Sequence, residues 1–252
     1  MKKEIRKVSE DGKTVQITVA DERFYVKTET DDKGNILSIK EYPSVTWKAG
    51  CYPKGIGYYQ WLAKHGWDES RAIMMEAGNR GSKVHHGIES LLLGNEINMD
   101  DQLPNSEGEL EDITLEEYQA LMSFIDWHKE AKPEVLEIET TVFNDEYMYA
   151  GTIDLVCKIE GELWIVDYKT SSNVWASHEI QISAYKHTKE EYKEAKLGIL
   201  QVGYNKNKRG WKMNEIEDQF ELFKAADAIW HKEYGNTKIF VKDYPVTLSL
   251  SL

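Results

Sequence analysis

The chain has 252 residues, 41% of them hydrophobic and 30% charged, enough for one substantial core with room for an appendage. Its formal net charge of −13 argues against a nonspecific nucleic-acid coat, whose contact surface is basic, though not against a local site. Cys51 and Cys157 are too few for a disulfide framework, a four-cysteine zinc site or a cysteine-held iron–sulfur cluster.

At the start, "MKKEIRKVSEDGK" lacks the apolar segment of a secretory signal, and Glu4, Glu10 and Asp11 interrupt the positive charge of a transit peptide. No apolar run approaches the roughly 18 residues of a membrane span. A cytoplasmic protein with no membrane partner is expected. The first 42 residues favour strands: "TVQITVA" and "RFYVKTE" alternate or carry β-branched residues, and "DDKGN" is a turn before "ILSIKEY". From "YPSVTW" the pattern becomes helical, with "GIGYYQWLAKHG" a short helix and "DESRAIMMEAGNRGSKVHHGIESLLLG" a long or broken one. Met99 to Tyr118 holds eight Asp or Glu residues and no Lys or Arg, a solvated loop running into a third helix from about Thr114 to Glu130. Thr114 and Glu117 fit a capping box for that helix.

Strands are expected at about 135–143, 149–159 and 163–169, then a helix at about 177–192 and a strand at "LGILQVGY". "NKNKRG", Asn205 to Gly210, reads as a basic turn. Ile216, Phe220, Phe223, Ala226 and Trp230 recur every three or four residues, the apolar stripe of a last helix. The organisation is a β-rich extension over 1–42 followed by one α/β domain over 43–252.

"GTIDLVCKIEGELWIVDYKTS", Gly151 to Ser171, carries two acids within an apolar hairpin. If Glu160 and Gly161 form a two-residue turn, Ile159 pairs with Glu162, and the same register sets Asp154 opposite Asp167. Lys169, two residues beyond Asp167, projects from the same face. Two carboxylates facing across a hairpin repel unless a cation or proton intervenes. Two acids and an amine suit metal-assisted hydrolysis, with Mg²⁺ or Mn²⁺ on the acids and the ammonium placing the nucleophile or stabilising developing charge.

Two flanking pairs add to this hairpin. His85 and Glu89 lie one helical turn apart, and the imidazole is a candidate ligand as well as an ordinary helix residue. Gln181 and Tyr185, likewise spaced, could offer an amide and a phenol to the acidic site or simply hydrogen-bond each other.

In order, "GSKVHHGIE", "GTIDLV", "IVDYKTS" and "QISAY" resemble the RecB-type branch of the PD-(D/E)xK nuclease superfamily. Within it the chain is similar to the mitochondrial genome maintenance exonucleases and related phage or bacterial nucleases. "PSVTW", "LEIETTV" and "GILQVGYNKNKRG" extend the likeness, which runs from about Pro43 to Tyr234. The resemblance implies a restriction-endonuclease-like core, a central mixed β-sheet flanked by helices, behind the β-rich N-terminal extension. It implies Asp154 and Asp167 as metal ligands with His85 and the Tyr168 carbonyl, Lys169 serving the attacking water, and His86 facing elsewhere. Gln181 and Tyr185 would support the site and meet the DNA backbone. Glu139 stands at a recurrent acidic position, and Thr170 and Trp175 are candidate supporting or DNA-binding residues. Ile153 replaces the nominal Pro, and the cysteines that hold an iron–sulfur cluster in some relatives are missing, so none is expected.

The function expected is a divalent-metal-dependent exonuclease on linear, single-stranded DNA, in a bacterium or a phage-infected host, with a single-strand-binding or annealing protein as a further partner. Trp175, Asn173 and Tyr58 could stack on or touch the strand, or pack in a core. A catalytically silent nucleic-acid-binding module on the same fold is the alternative. A non-nuclease hydrolase or carbohydrate binder is a third, against which the ordered motifs speak.

Overall fold

Alternation of polar and apolar residues builds a separate sheet at the start of the chain. In a computed structural model that describes residues 3–235, apart from positions 8, 10, 20, 21 and 34, β1 (Lys3–Lys7), β2 (Thr14–Val19), β3 (Glu22–Thr30) and β4 (Ile36–Pro43) form an antiparallel meander. Asp31 closes the turn before β4 by accepting from the backbone N–H groups of Lys33 and Asn35. Gln16 pairs with Tyr25 and Tyr25 with Tyr42, so these three share one face. Ile17 and Phe24 share the other.

A short helix, α1 (Val45–Gly50), starts at Ser44, whose hydroxyl accepts from the Trp47 N–H. The long helix α2 (Ile56–Leu92) is broken at Gly66 (φ 75°), the boundary between the two helical segments expected from sequence. The acidic run is not all loop: β5 (Gln102–Pro104) and β6 (Leu110–Asp112) form a small hairpin beside the buried Leu103 and Ile113. Three-residue strands containing Pro and acids leave too little alternation to be read. At α3 (Leu115–Ala131), Thr114 and Glu117 form the expected capping box.

The chain then lays down β7 (Glu134–Asn144), β8 (Tyr149–Ile159), β9 (Glu162–Lys169), α4 (Ala176–Lys186), β10 (Lys196–Val202), β11 (Trp211–Ile216) and α5 (Phe220–Tyr234). The five strands lie in the order β11-β10-β9-β8-β7. Only β9 and β10 are parallel, joined over α4, so the sheet is mixed. One face is covered by α1, α4 and α5, through Ala49, Ile180, Tyr185 and Phe223 on Ile153, Ile165 and Ile199. The other is covered by α2 and α3, through Val84, Ile88, Leu121 and Phe124 on Leu155, Val166 and Leu200. This is a mixed α/β fold of restriction-endonuclease-like form, with the N-terminal strands in front of it.

Two elements differ from the reading above. The helix expected at 177–192 stops at Lys186, because the chain turns back through a 3₁₀ turn at Glu190–Tyr192. There Lys189 and Tyr192 both bond Glu137 of β7, at 3.0 and 2.7 Å. Ile216 belongs not to the last helix but to β11, whose edge pairing with β10 has no counterpart in the local sequence. Residues 236–252 of the expected domain lie outside the described residues.

Candidate metal-dependent active site

Glu160 and Gly161 both adopt positive φ (53° and 83°), the turn that matches the strand twist of a two-residue hairpin. The register is the one read from sequence, from Ile159 opposite Glu162 to Leu155 opposite Val166. It stops one pair short of Asp154 and Asp167. Beyond that point β8 stays paired with β7 and β9 with β10, so the sheet forks at the two acids. Asp154 fills the fork: its Oδ2 accepts the Tyr168 N–H at 2.7 Å, replacing a ladder bond.

The alternation of β8 breaks at the same place. Ile153 and Val156 enter the core under α4, whereas Leu155 and Cys157 enter the core under α2 and α3. Across from Asp154, Glu139 of β7 sits between the pairs Ile138–Leu155 and Thr140–Ile153 with a φ of 46°. A non-glycine residue in the left-handed region within a strand stores strain of about 1 kcal/mol or more. The strain coincides with the acids.

α2 brings the imidazole. Val84 and Ile88 anchor its last turns, and buried Lys83 bonds Glu117 at 2.9 Å, tying α2 to the start of α3. His85 then points its Nδ1 at Asp154 Oδ1 (3.4 Å), while its Nε2 lies 3.0 Å from the Tyr168 carbonyl. His85, Glu139 and Asp154 each offer a ligand atom within 4.8 Å of the others. One imidazole nitrogen and two carboxylate oxygens, with the Tyr168 carbonyl beside them, fit a divalent cation such as Mg²⁺ or Mn²⁺.

Asp167, only 2% exposed, lies outside that triplet. Its Oδ1 accepts from Gln181 Nε2 at 3.2 Å, and that amide also donates to the Tyr185 hydroxyl at 3.0 Å. The Lys169 ammonium is 2.5 Å from Asp167 Oδ2 without the alignment of a hydrogen bond. Gly151 makes room for this arrangement, since a Cβ there would meet Tyr185 Cε1 at 2.6 Å.

The electrostatics separate the two acids. Burial pushes the Asp167 carboxyl up and Asp154 adds to that, against the pull of Lys169. Burial would raise Asp154 too, but His85 beside it holds its carboxyl below the ordinary value. His85 is itself disfavoured as a cation by burial, yet Asp154 and then Glu139 push it up to about 9. Burial would depress Lys169; Asp167 and Asp154 outweigh it and raise it. Buried ionisable groups that perturb one another in this way are found in acid–base and metal centres and also in structural ion-pair networks.

Ten of the candidate residues, His85, Glu139, Asp154, Asp167, Tyr168, Lys169, Thr170, Trp175, Gln181 and Tyr185, line one open cleft of about 480 Å³. Trp175 is 56% exposed there. Tyr58 and Asn173 are not on the lining: Tyr58 packs on Tyr59 and Trp61, and Asn173 takes a bond from Lys206. Glu89 pairs with His86 (3.4 Å) rather than His85, and His86 borders the cleft without reaching the acids. Sequence reading missed His178, which burial and the neighbouring Lys169 charge push down to about 3. It lies one turn before Gln181, on the cleft. Reading also missed Gln16, Arg23 and Tyr25, from the N-terminal strands.

The family model described as PD-(D/E)XK nuclease superfamily matches residues 58–230. No curated protein matches the chain.

Proposed function

This chain belongs to the PD-(D/E)XK nuclease superfamily, and on that footing we propose that it is a divalent-metal-dependent DNA exonuclease of the RecB-type branch, acting on linear, single-stranded ends. The supporting observation is the convergence, at a fork in the sheet, of a His–Glu–Asp ligand triplet with a Lys–Asp pair on the floor of one cleft. We assign His85, Glu139 and Asp154 to the cation, with Asp167 and the Tyr168 carbonyl completing its shell. When bound, the ion polarises a phosphoryl oxygen and acidifies water. Lys169, held by Asp167, orients the attacking water and balances charge on the phosphate. Gln181 and Tyr185 fix the Asp167 carboxylate, and Thr170 and Trp175 meet the strand.

In this reading residues 1–42 are an extension and 43–252 the nuclease domain. The setting is replication, recombination or repair in a bacterial or phage-infected cytoplasm, alongside a single-strand-binding or annealing protein. No described helix is long and apolar enough to cross a membrane.

End-labelled single strands, duplexes and covalently closed circles, compared under Mg²⁺ and Mn²⁺, test the activity. Linear strands should be shortened from an end, and circles should resist. Lys169→Ala and His85→Ala should lose at least about a hundredfold in rate, and His86→Ala should stay within a few fold. Binding without cleavage in either metal would favour the silent module instead, and rapid nicking of circles would exclude the exonuclease.

A further inference from the structure

The first four strands lie ahead of the family match, which begins at residue 58, yet they supply part of the cleft wall. Tyr25 is the anchor. It is 1% exposed, its hydroxyl is 3.1 Å from Thr152 Oγ1, and it accepts from Gln16 Nε2 at 2.9 Å. Thr152 is two residues from Asp154 on β8. The Ser44 N–H donates to the Arg23 carbonyl at 2.9 Å, and Ser44 forms a parallel bridge with Ala150 of β8. Tyr42 donates to Asp145 at 2.6 Å, and Tyr25, Tyr42 and Ala150 pack with Phe143 and Met148. The extension is therefore bolted to the strand that carries Asp154.

Arg23 pairs with Thr18 next to the Gln16–Tyr25 pair, and residues two apart share a strand face, so Gln16, Arg23 and Tyr25 present one surface to the cleft. Arg23 is exposed and has no carboxylate partner among the described residues, in a chain of net charge −13. Arg80, which also lines the cleft, is already paired with Glu116 at 3.1 Å. A guanidinium with no carboxylate partner among the described residues, beside an amide donor, is a fork suited to phosphate oxygens.

We infer that the N-terminal sheet is a substrate-binding wall, on which Arg23, with Gln16 beside it, holds a phosphate of the DNA strand other than the one being cut. This rests on the nuclease reading and adds to it a residue set outside the family's matched region. Tyr25 acts as a positioning residue, holding that wall against β8.

The test compares an oligonucleotide with bis(p-nitrophenyl) phosphate, a diester whose single phosphate is the one being cut. Arg23→Ala should lower kcat/KM for the oligonucleotide about tenfold more than for the small diester, mainly through KM. Arg23→Lys should recover part of the loss. Oligonucleotide binding measured against salt concentration should show a slope smaller by about one in Arg23→Ala. Equal losses on both substrates would mean that Arg23 acts only through the fold, and an unchanged KM and salt slope would mean that it does not touch the strand; either overturns the inference. A parent protein that cuts neither substrate would overturn the nuclease reading, while the salt slope would still decide whether Arg23 meets DNA.

Discussion

Asp167 shows how one contact changes an expectation. With the acids simply facing each other, removing one charge would relieve repulsion. In the structure Asp167 instead faces the Lys169 ammonium, 19% exposed, and accepts from Gln181. Asp167→Asn leaves that ammonium buried with only Asp154 as a nearby anion. Breaking a fully buried pair costs about 3–5 kcal/mol; the partial exposure of Lys169, the remaining carboxylate and the burial cost that Asp167 itself carries bring the expected loss down to about 1 kcal/mol. Urea denaturation without added metal measures it. A variant as stable as the parent would show that repulsion from Asp154 outweighs attraction to Lys169.

Among the elements, β8 is held from both sides by fine tolerances. Gly151 lets the Tyr185 ring lie against the strand, and the Tyr185 hydroxyl in turn accepts from the Gln181 amide that also donates to Asp167. Gly151→Ala would force the ring or the strand to move, because the contact is with ring carbon in a buried side chain. A loss of about 1–3 kcal/mol is expected, together with a fall in turnover, since Asp154 is three residues on. Stability and rate measured on the same preparation would separate this from a purely local strain, which would leave turnover unchanged.

β7 has a different tie. Burial would raise the Glu137 carboxyl, but hydrogen bonds from Tyr192 and Lys189 hold it below its ordinary value of 4.5. A carboxyl lowered by folding adds stability above its unfolded pKa, and that contribution disappears as pH falls through the folded value. The parent should therefore lose stability more steeply than Glu137→Gln as pH falls below the ordinary value of 4.5. Parallel acid limbs in the two stability–pH curves would contradict the assignment.

For the molecule as a whole, the site gathers side chains from several elements. His85, Glu139 and Asp154 come from α2, β7 and β8, so an ion bound there joins three elements of the fold. An ion binding only the folded state stabilises it by RT ln(1 + [L]/Kd), about 2.7 kcal/mol at a hundredfold excess over Kd. Calorimetry should show the melting temperature rising with Mn²⁺ or Mg²⁺ in the parent, and rising much less in Asp154→Asn. Equal shifts in both would place the ion elsewhere.

Local chemistry was legible in the sequence alone. The Glu160–Gly161 turn set the hairpin register, and Thr114 and Glu117 set the start of α3, because each signal acts within a few residues, while the order of His85, Asp154, Asp167, Lys169, Gln181 and Tyr185 picked out residues that line one cleft. Tertiary structure decided how those residues meet. The fork at Asp154 and the left-handed backbone of Glu139 arise from β8 being shared between β7 and β9, and no residue announces that by itself. The end of α4 was set by the distant Glu137, and β11 by the open edge of β10. Arg23 and Gln16 reached the cleft through long-range ties such as that of Tyr25 to Thr152, 127 residues away, and contacts of that separation leave no periodicity to read.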